Sequence, residues 1–177
     1  MKKISVPFLT RCGMIAALYF VISFLMLPLA YGAVQVRFSE ALTLLPVLTS
    51  TGIWGVTVGC ILTNAYGVAA GANILGAVDV LLGSMTTLVA AVMSRCLRRY
   101  QWKKLPVLSA VPPVLLNALV IGGELTIAKM GQLVPAIFLI NFLQVGLGQI
   151  IACFVLGLPM IHVLRQTGLA DKLFKTL

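Results

Sequence analysis

Charged side chains that could take part in binding are few in this sequence, and three of its four acids fall in or beside apolar stretches. The chain has 4 Asp and Glu residues against 13 Lys and Arg residues, and 60% of its 177 residues are hydrophobic. Arg37 and Glu40 lie three positions apart between two apolar runs. A charge at the centre of a bilayer costs about 2.5–3.5 kcal/mol on insertion scales, so it usually faces a partner or a watery cavity. This stretch therefore predicts one wall of a binding pocket.

Further polar side chains recur at helical spacing, which places them on shared helix faces. Asn117 and Glu124 are seven positions apart, and Asp79, Gly83 and Thr87 form an i, i+4, i+8 stripe. We predict that these faces belong to one substrate-binding set. Its members are Arg37, Glu40, Asn64, Asp79, Asn117, Glu124, Asn141 and Gln144.

Two structural alternatives stay open for these polar residues. Asn141, Gln144 and Gly148 share a predicted face, but such side chains also make hydrogen bonds between helices, at about 0.6 kcal/mol each. Arg37 could also pair with Glu40 for a purely structural reason.

These residues lie in and between long apolar runs of sequence. The apolar runs predict an all-α integral membrane protein. The runs lack the alternation of a membrane barrel, and a spanning helix needs about 20 apolar residues. We predict a bundle of six transmembrane helices in one domain, residues 1–177, with a kink in the fifth helix at Pro112 and Pro113. The second helix is too short to span alone. The predicted helices are 8–29, 38–48, 53–69, 75–96, 105–124 and 135–164.

The distribution of basic residues predicts that both termini are cytoplasmic. With six crossings, 11 of the 13 Lys and Arg residues fall on the inner side, and Arg37 and Lys129 fall outside. These short basic clusters, which make up the net charge of +9, indicate membrane topology and lipid contact rather than nucleic-acid binding. The predicted polar set then lies in the outer half, as a cup open to the outside and closed below.

Motifs for catalysis, cofactors and metals are absent from the sequence. The four cysteines are widely spaced without a Cys-x-x-Cys pair, and there is no Walker A loop, no Gly-x-Ser-x-Gly elbow and no His-Glu-x-x-His. We therefore expect no enzyme activity, no cofactor and no metal. A transporter of this size must either be passive or take its energy from partner subunits.

Four segments resemble the QueT family, whose members are the substrate-binding S-components of energy-coupling factor transporters. The resemblance covers nearly the whole chain, and its most specific part is the run Arg37-x-Ser-Glu-Ala-Leu42. The segments are Ala16-Ala-Leu-Tyr19, Val34-Gln-Val-Arg-Phe-Ser-Glu-Ala-Leu42, Gly76-x-x-Asp79-x-x-x-Gly83-Ser84 and Asn117-Ala-x-x-x-Gly-x-Glu124-Leu125.

The resemblance implies a six-helix S-component in a prokaryotic plasma membrane. It implies the queuosine precursor 7-aminomethyl-7-deazaguanine (preQ1) as substrate, and a complex with an EcfT-like transmembrane coupling subunit and two cytoplasmic ATPases. S-components typically dock through small residues on helix 1. The corresponding positions here are Gly13, Ala16 and Ala17, with Gly13 departing from the family's alanine.

The residues suit this ligand, although two other functions stay open. A carboxylate can accept both N1–H and the 2-amino group of a deazaguanine, and a second carboxylate can pair with the aminomethyl cation. Phe38 or Tyr66 could stack on the base. The alternatives are an S-component for another small cationic or purine-like nutrient, and a self-sufficient passive channel or exchanger.

Overall fold

The computed structural model of the protein describes residues 5–26 and 37–174 as packed helices. The C-terminal end of the predicted first helix and its link to Arg37 lie outside the described residues. The α-helices are joined by 3₁₀ turns at Leu97–Arg99 and Val107–Ala110, and a π-helical stretch, Ile151–Gly157, joins α6 to α7. The helices are α1 (Val6–Leu25), α2 (Phe38–Val47), α3 (Thr51–Ala69), α4 (Ala77–Cys96), α5 (Val111–Met130), α6 (Pro135–Ile150), α7 (Leu158–Gln166) and α8 (Leu169–Phe174).

Five helical stretches among the described residues are long and apolar enough to cross a membrane. A sixth apolar helix, α2, is shorter. The prediction of a helical multi-pass membrane protein is therefore confirmed, whereas six crossings and cytoplasmic termini stay predictions. The five stretches are Val6–Leu25, Thr51–Ala69, Ala77–Arg99, Val107–Met130 and Pro135–Gln166.

Helix α2 is wound as a 3₁₀ helix and lies inside the bundle. Every residue from Ser39 to Val47 is buried, because α2 packs against α1, α3, α4, α7 and the π-helical stretch. At about 2.0 Å of rise per residue, this winding makes its ten residues about 20 Å long, well short of the roughly 30 Å hydrocarbon core. The helix is thus too short to span this core alone, and its side chains lie in the interior.

The predicted bounds of the fifth helix were wrong. Helix α5 runs from Val111 to Met130 rather than over 105–124, so Lys129 lies in its last turn instead of an outer loop. Pro112 and Pro113 fall in its first turn and do not kink its middle. Proline is tolerated there because the first N–H groups of a helix have no intrahelical acceptor.

The predicted sixth helix exists as one continuous helical run, from Pro135 to Gln166, with the π-helical stretch inside it. This stretch packs on α2, where Gly157 brings the two backbones together. A Cβ on Gly157 would lie 2.8 Å from Leu44 Cδ1 and 3.2 Å from the carbonyl oxygen of Ala41. The short helix α8 follows this run.

Small residues on α3 allow α1 to approach closely. The stripe Gly55-x-x-x-Gly59-x-x-x-Thr63 in the sequence predicts packing of this kind within the bundle. A Cβ on Gly55 would lie 2.6 Å from Cβ of Ile15, and a Cβ on Gly59 would lie 2.7 Å from Cβ of Tyr19. Packing within the bundle is therefore confirmed for this stripe. The contact fixes the position of Tyr19, whose side chain is completely buried.

We expect Gly59→Ala to destabilise the protein. The new methyl group meets the first side-chain atoms of Tyr19, which cannot rotate away, and overpacking of this kind costs about 1–3 kcal/mol. The matched control is Gly13→Ala, because a Cβ there meets no atom within 4 Å. Thermal unfolding in detergent should show a lower midpoint for Gly59→Ala alone. Equal midpoints for both variants would contradict the close contact.

Candidate functional site

A buried ion pair between Arg37 and Asp79 lies at the centre of the polar interior. Arg37 Nη2 donates to Asp79 Oδ2 at 3.3 Å, and Arg37 Nη1 donates to Asn64 Oδ1 at 3.1 Å. Asp79 is completely buried and Arg37 nearly so. Three predicted site residues from separate parts of the chain therefore meet in one network.

Asp79 belongs to the first turn of α4, where the helix dipole favours a negative charge. Asn73 Nδ2 donates to Asp79 Oδ2 at 2.7 Å, and Asn64 Nδ2 donates to the Asp79 carbonyl at 3.0 Å. Gly83 lies directly beneath the carboxylate, so any side chain there would collide with it. Asp79 thus links the end of α3 to the start of α4.

The structural alternative of an Arg37–Glu40 pair is wrong among the described contacts. Arg37 directly precedes α2, and its guanidinium contacts Asn64 and Asp79. Glu40 Oε1 instead accepts a 2.5 Å hydrogen bond from the Tyr19 hydroxyl on α1. The three-residue spacing alone could not distinguish these partners.

Glu124 on α5 is the third acid of the interior and is only partly buried. The charges of Asp79 and Arg37 both act on it, which places Glu124 in the same electrostatic environment as the ion pair. Glu40 also interacts with the charges of Arg37 and Asp79. The three predicted carboxylates therefore share one region of the bundle.

Several buried carboxylate oxygens have no hydrogen-bond donor among the described residues. These atoms are Glu40 Oε2, Asp79 Oδ1, and Oε1 and Oε2 of Glu124. Folded proteins pair the large majority of their buried polar atoms, so such a group of unpaired acceptors requires an explanation. Chemically, the site offers acceptors to a ligand that carries several N–H donors or a positive charge.

A small cavity borders this network. It is lined by Arg37, Asn117, Ile121, Val145 and Gln149, and it has room for about one water molecule. The site is therefore nearly closed in this structure. A ligand as large as a purine requires the surrounding helices to separate.

Gln149 is a site residue that sequence reasoning missed. It is buried and lines the cavity, whereas the predicted Gln144 is only partly buried and does not line it. Positions 141, 145 and 149 follow an i, i+4, i+8 pattern on the buried face of the helical run. Extending the stripe in steps of four from Asn141, rather than three, would have found Gln149.

The predicted site residues Asn141 and Asn117 already have protein partners. Asn141 Nδ2 donates to Thr126 Oγ1 at 2.9 Å, and Asn141 Oδ1 accepts from Lys129 Nζ at 3.3 Å, which joins α6 to α5. Asn117 Nδ2 donates to the Pro113 carbonyl of its own helix at 2.9 Å. Of these two, only Asn117 also lines the cavity.

The predicted docking positions on α1 fall on two faces. Gly13 and Ala17 are exposed, whereas Ala16 is buried in the bundle. Ala17 also lines an open, mainly apolar groove of about 910 Å³, whose walls include Leu42, Met160 and Phe174. Gly13 and Ala17 are accessible to another protein, and Ala16 is not.

The expected stacking partners differ in their surroundings. The Tyr66 ring is 38% exposed and packs edge-on against Phe20 and Phe24 of α1, with centroids 5.7 and 5.4 Å apart. Phe38 is partly buried at the start of α2. Neither ring lines the small cavity.

Comparison with known families matches residues 9–166 to the profile of the QueT transporter family. The chain belongs to the QueT transporter family. A comparison with curated proteins and another with solved structures gave no match. In this QueT transporter the matched residues include the ion pair, Tyr19 and all three interior carboxylates.

We expect Asp79→Asn to destabilise this QueT transporter strongly, because it leaves Arg37 buried without its counter-charge. Removing one partner of a buried ion pair costs about 3–5 kcal/mol. The comparison variant is Asp171→Asn, an exposed acid of α8, whose loss should cost less than about 1 kcal/mol. Thermal unfolding measures both, and a double variant Arg37→Gln/Asp79→Asn should recover part of the loss. Unchanged stability of Asp79→Asn would contradict the central role of the ion pair.

Proposed function

We propose that this chain is the substrate-binding S-component of an energy-coupling factor importer and that it captures 7-aminomethyl-7-deazaguanine from outside the cell. The single observation that carries the proposal is the group of buried carboxylate oxygens that lack donors among the described residues. The ligand offers the missing donors through N1–H, the 2-amino group and a cationic aminomethyl group. Membership of the QueT transporter family supports a transport role.

Glu124 is suited to read the guanine-like edge. N1–H and the 2-amino group are adjacent donors, so they need two acceptors side by side, and both oxygens of Glu124 are without donors among the described residues. Both oxygens are buried, so a ligand reaches them once the surrounding helices separate. A bidentate contact of this kind fixes orientation as well as position.

Glu40 is suited to pair with the aminomethyl cation. Tyr19 already occupies one of its oxygens, which leaves Oε2 as a single acceptor for a single cationic group. Asp79 is less suited, although its Oδ1 also lacks a donor among the described residues, because its negative charge is already paired with Arg37. Asp79 therefore holds Arg37 in place, and Arg37, which lines the cavity, is suited to donate to the ligand's carbonyl oxygen.

Energy for import comes from partner subunits in this proposal. Gly13 and Ala17 on the exposed face of α1, beside the apolar groove, would dock on a transmembrane coupling subunit driven by two cytoplasmic ATPases. Small residues at such a contact allow two helix backbones to approach closely. Movement of the whole subunit in the membrane would then release the ligand inside.

Ligand selectivity tests whether Glu124 binds the guanine-like edge and Glu40 binds the aminomethyl cation. We expect the 7-cyano analogue, which lacks the cation, to bind at least tenfold more weakly than the 7-aminomethyl ligand, because Glu40 is then buried without a counter-charge. Glu40→Gln should weaken binding of the 7-aminomethyl ligand and reduce the difference in affinity between the two ligands. Glu124→Gln should weaken both ligands about equally. Isothermal titration calorimetry of the detergent-solubilised chain measures all six affinities, those of both ligands for the unaltered chain and for each variant.

Glu124 and Glu40 serve as each other's control in this experiment, since each variant removes one negative charge from the same region. Equal effects of both variants on both ligands would show that the two carboxylates attract the ligand only through their combined negative charge, not through separate contacts. If neither variant changes either affinity by more than tenfold, about 1.4 kcal/mol, the carboxylates do not recognise the ligand and the proposal is wrong.

Docking through α1 gives a separate expectation. Gly13→Leu and Ala17→Leu should leave ligand affinity unchanged and abolish ATP-driven uptake, because bulk on the exposed face blocks a partner without touching the interior. Ala65→Leu is the matched control, an exposed position on α3 outside the groove. Uptake by the assembled complex in proteoliposomes measures the effect. Normal uptake by both α1 variants would show that another surface docks.

A further inference from the structure

The carboxylate of Glu40 has one hydrogen-bond donor among the described residues, and this donor belongs to another helix. The Tyr19 hydroxyl on α1 donates to Oε1 at 2.5 Å, the length of a strong hydrogen bond to a charged acceptor. Oε2 of the same carboxylate is buried and receives no donor within the described residues. The hydroxyl therefore determines which oxygen of Glu40 remains available.

Tyr19 itself is held firmly, which makes it a suitable anchor. Its side chain is completely buried, and the backbone of Gly59 packs so closely that a Cβ there would lie 2.7 Å from Tyr19 Cβ and 2.9 Å from Tyr19 Cγ. The ring has little freedom to follow a moving carboxylate.

The Glu40 backbone is fixed separately from its carboxylate. Thr43 Oγ1 donates to the Glu40 carbonyl at 2.6 Å, and Cys153 Sγ donates to it at 3.7 Å. These contacts hold the main chain of α2, whereas the hydrogen bond from Tyr19 restrains the side-chain torsions of Glu40. Nothing else in the described structure donates to the carboxylate.

We propose that Tyr19 is a positioning residue for substrate capture: its hydroxyl holds Glu40 so that Oε2 is presented to the cationic group of the ligand. This inference rests on the proposed function, because it assigns Glu40 to the ligand. Tyr19 does not touch the ligand itself. It also connects the site to α1, the helix whose exposed face carries Gly13 and Ala17.

Ser23 provides a closely matched comparison within the same pair of helices. Ser23 Oγ accepts from Ser39 Oγ at 2.7 Å, since its own proton goes to the main-chain carbonyl of Tyr19, so α1 and α2 share a second buried hydrogen bond that does not involve Glu40. Removing either bond loosens the same interface. Only the loss of the Tyr19 bond should alter ligand recognition if Tyr19 acts through Glu40.

The test is a double-mutant cycle with 7-aminomethyl-7-deazaguanine as probe and calorimetry on the detergent-solubilised full chain. Tyr19→Phe should weaken binding about tenfold, and Ser23→Ala should change it by less than about twofold. In a Glu40→Gln background, Tyr19→Phe should change affinity by less than about twofold, because the charged carboxylate that it positions is gone. Independent, additive losses would show a merely structural role and overturn the inference.

The outcomes separate this inference from the proposed function. If Glu40→Gln alone leaves affinity unchanged, Glu40 does not bind the ligand, so this inference and the role of Glu40 in the proposed function are both wrong. If Glu40→Gln weakens binding but Tyr19→Phe does not, only the positioning role is overturned. Should Tyr19→Phe not fold, Glu40→Asp replaces it: the shortened side chain withdraws from the Tyr19 hydroxyl and should also weaken binding at least about tenfold. Wild-type affinity of Glu40→Asp would equally overturn the role of Tyr19.

Discussion

Burial of the Arg37 and Asp79 charges within an apolar bundle is the constraint on which the rest of the polar interior depends. Removing two ions from water costs several kcal/mol for each ion, and their attraction offsets this cost only when further hydrogen bonds complete the geometry. Asn64 and Asn73 supply those bonds, one from the last turns of α3 and one from the loop that follows. The positions of α3 and α4 are thereby fixed by polar chemistry as well as by apolar packing.

This constraint also explains why the remaining acids are available to a ligand. Arg37 is committed to Asp79 and Asn64, so its charge is largely used within the protein. Glu40 and Glu124 then keep carboxylate oxygens that no described residue satisfies. A buried acceptor without a hydrogen bond costs free energy, so a ligand that supplies the missing donors binds with a gain in free energy. These carboxylate oxygens therefore favour a cationic, donor-rich ligand over an anionic one.

The sequence predicted the helical membrane class and the sharing of one region by three acids, but it could not assign their partners. Hydropathy identifies long apolar helices because every residue of a span contributes to the signal. Partners such as Tyr19 for Glu40 depend on how helices face one another, which no local spacing encodes. The end of α5 was missed because Lys129 was read as a loop residue, although its side chain bonds to Asn141 on α6.

The near closure of the cavity follows from how its walls are assembled. On one side, Arg37 is tied to α3 and α4 through Asn64 and Asp79. On the other side, α5 and α6 are in close contact, since a Cβ on Gly122 would lie 3.1 Å from the backbone of Phe142. Interfaces this tight separate as units rather than deform gradually. In the proposed function, a purine-sized ligand therefore enters by separating the α5–α6 pair from Arg37, the two walls that line the cavity.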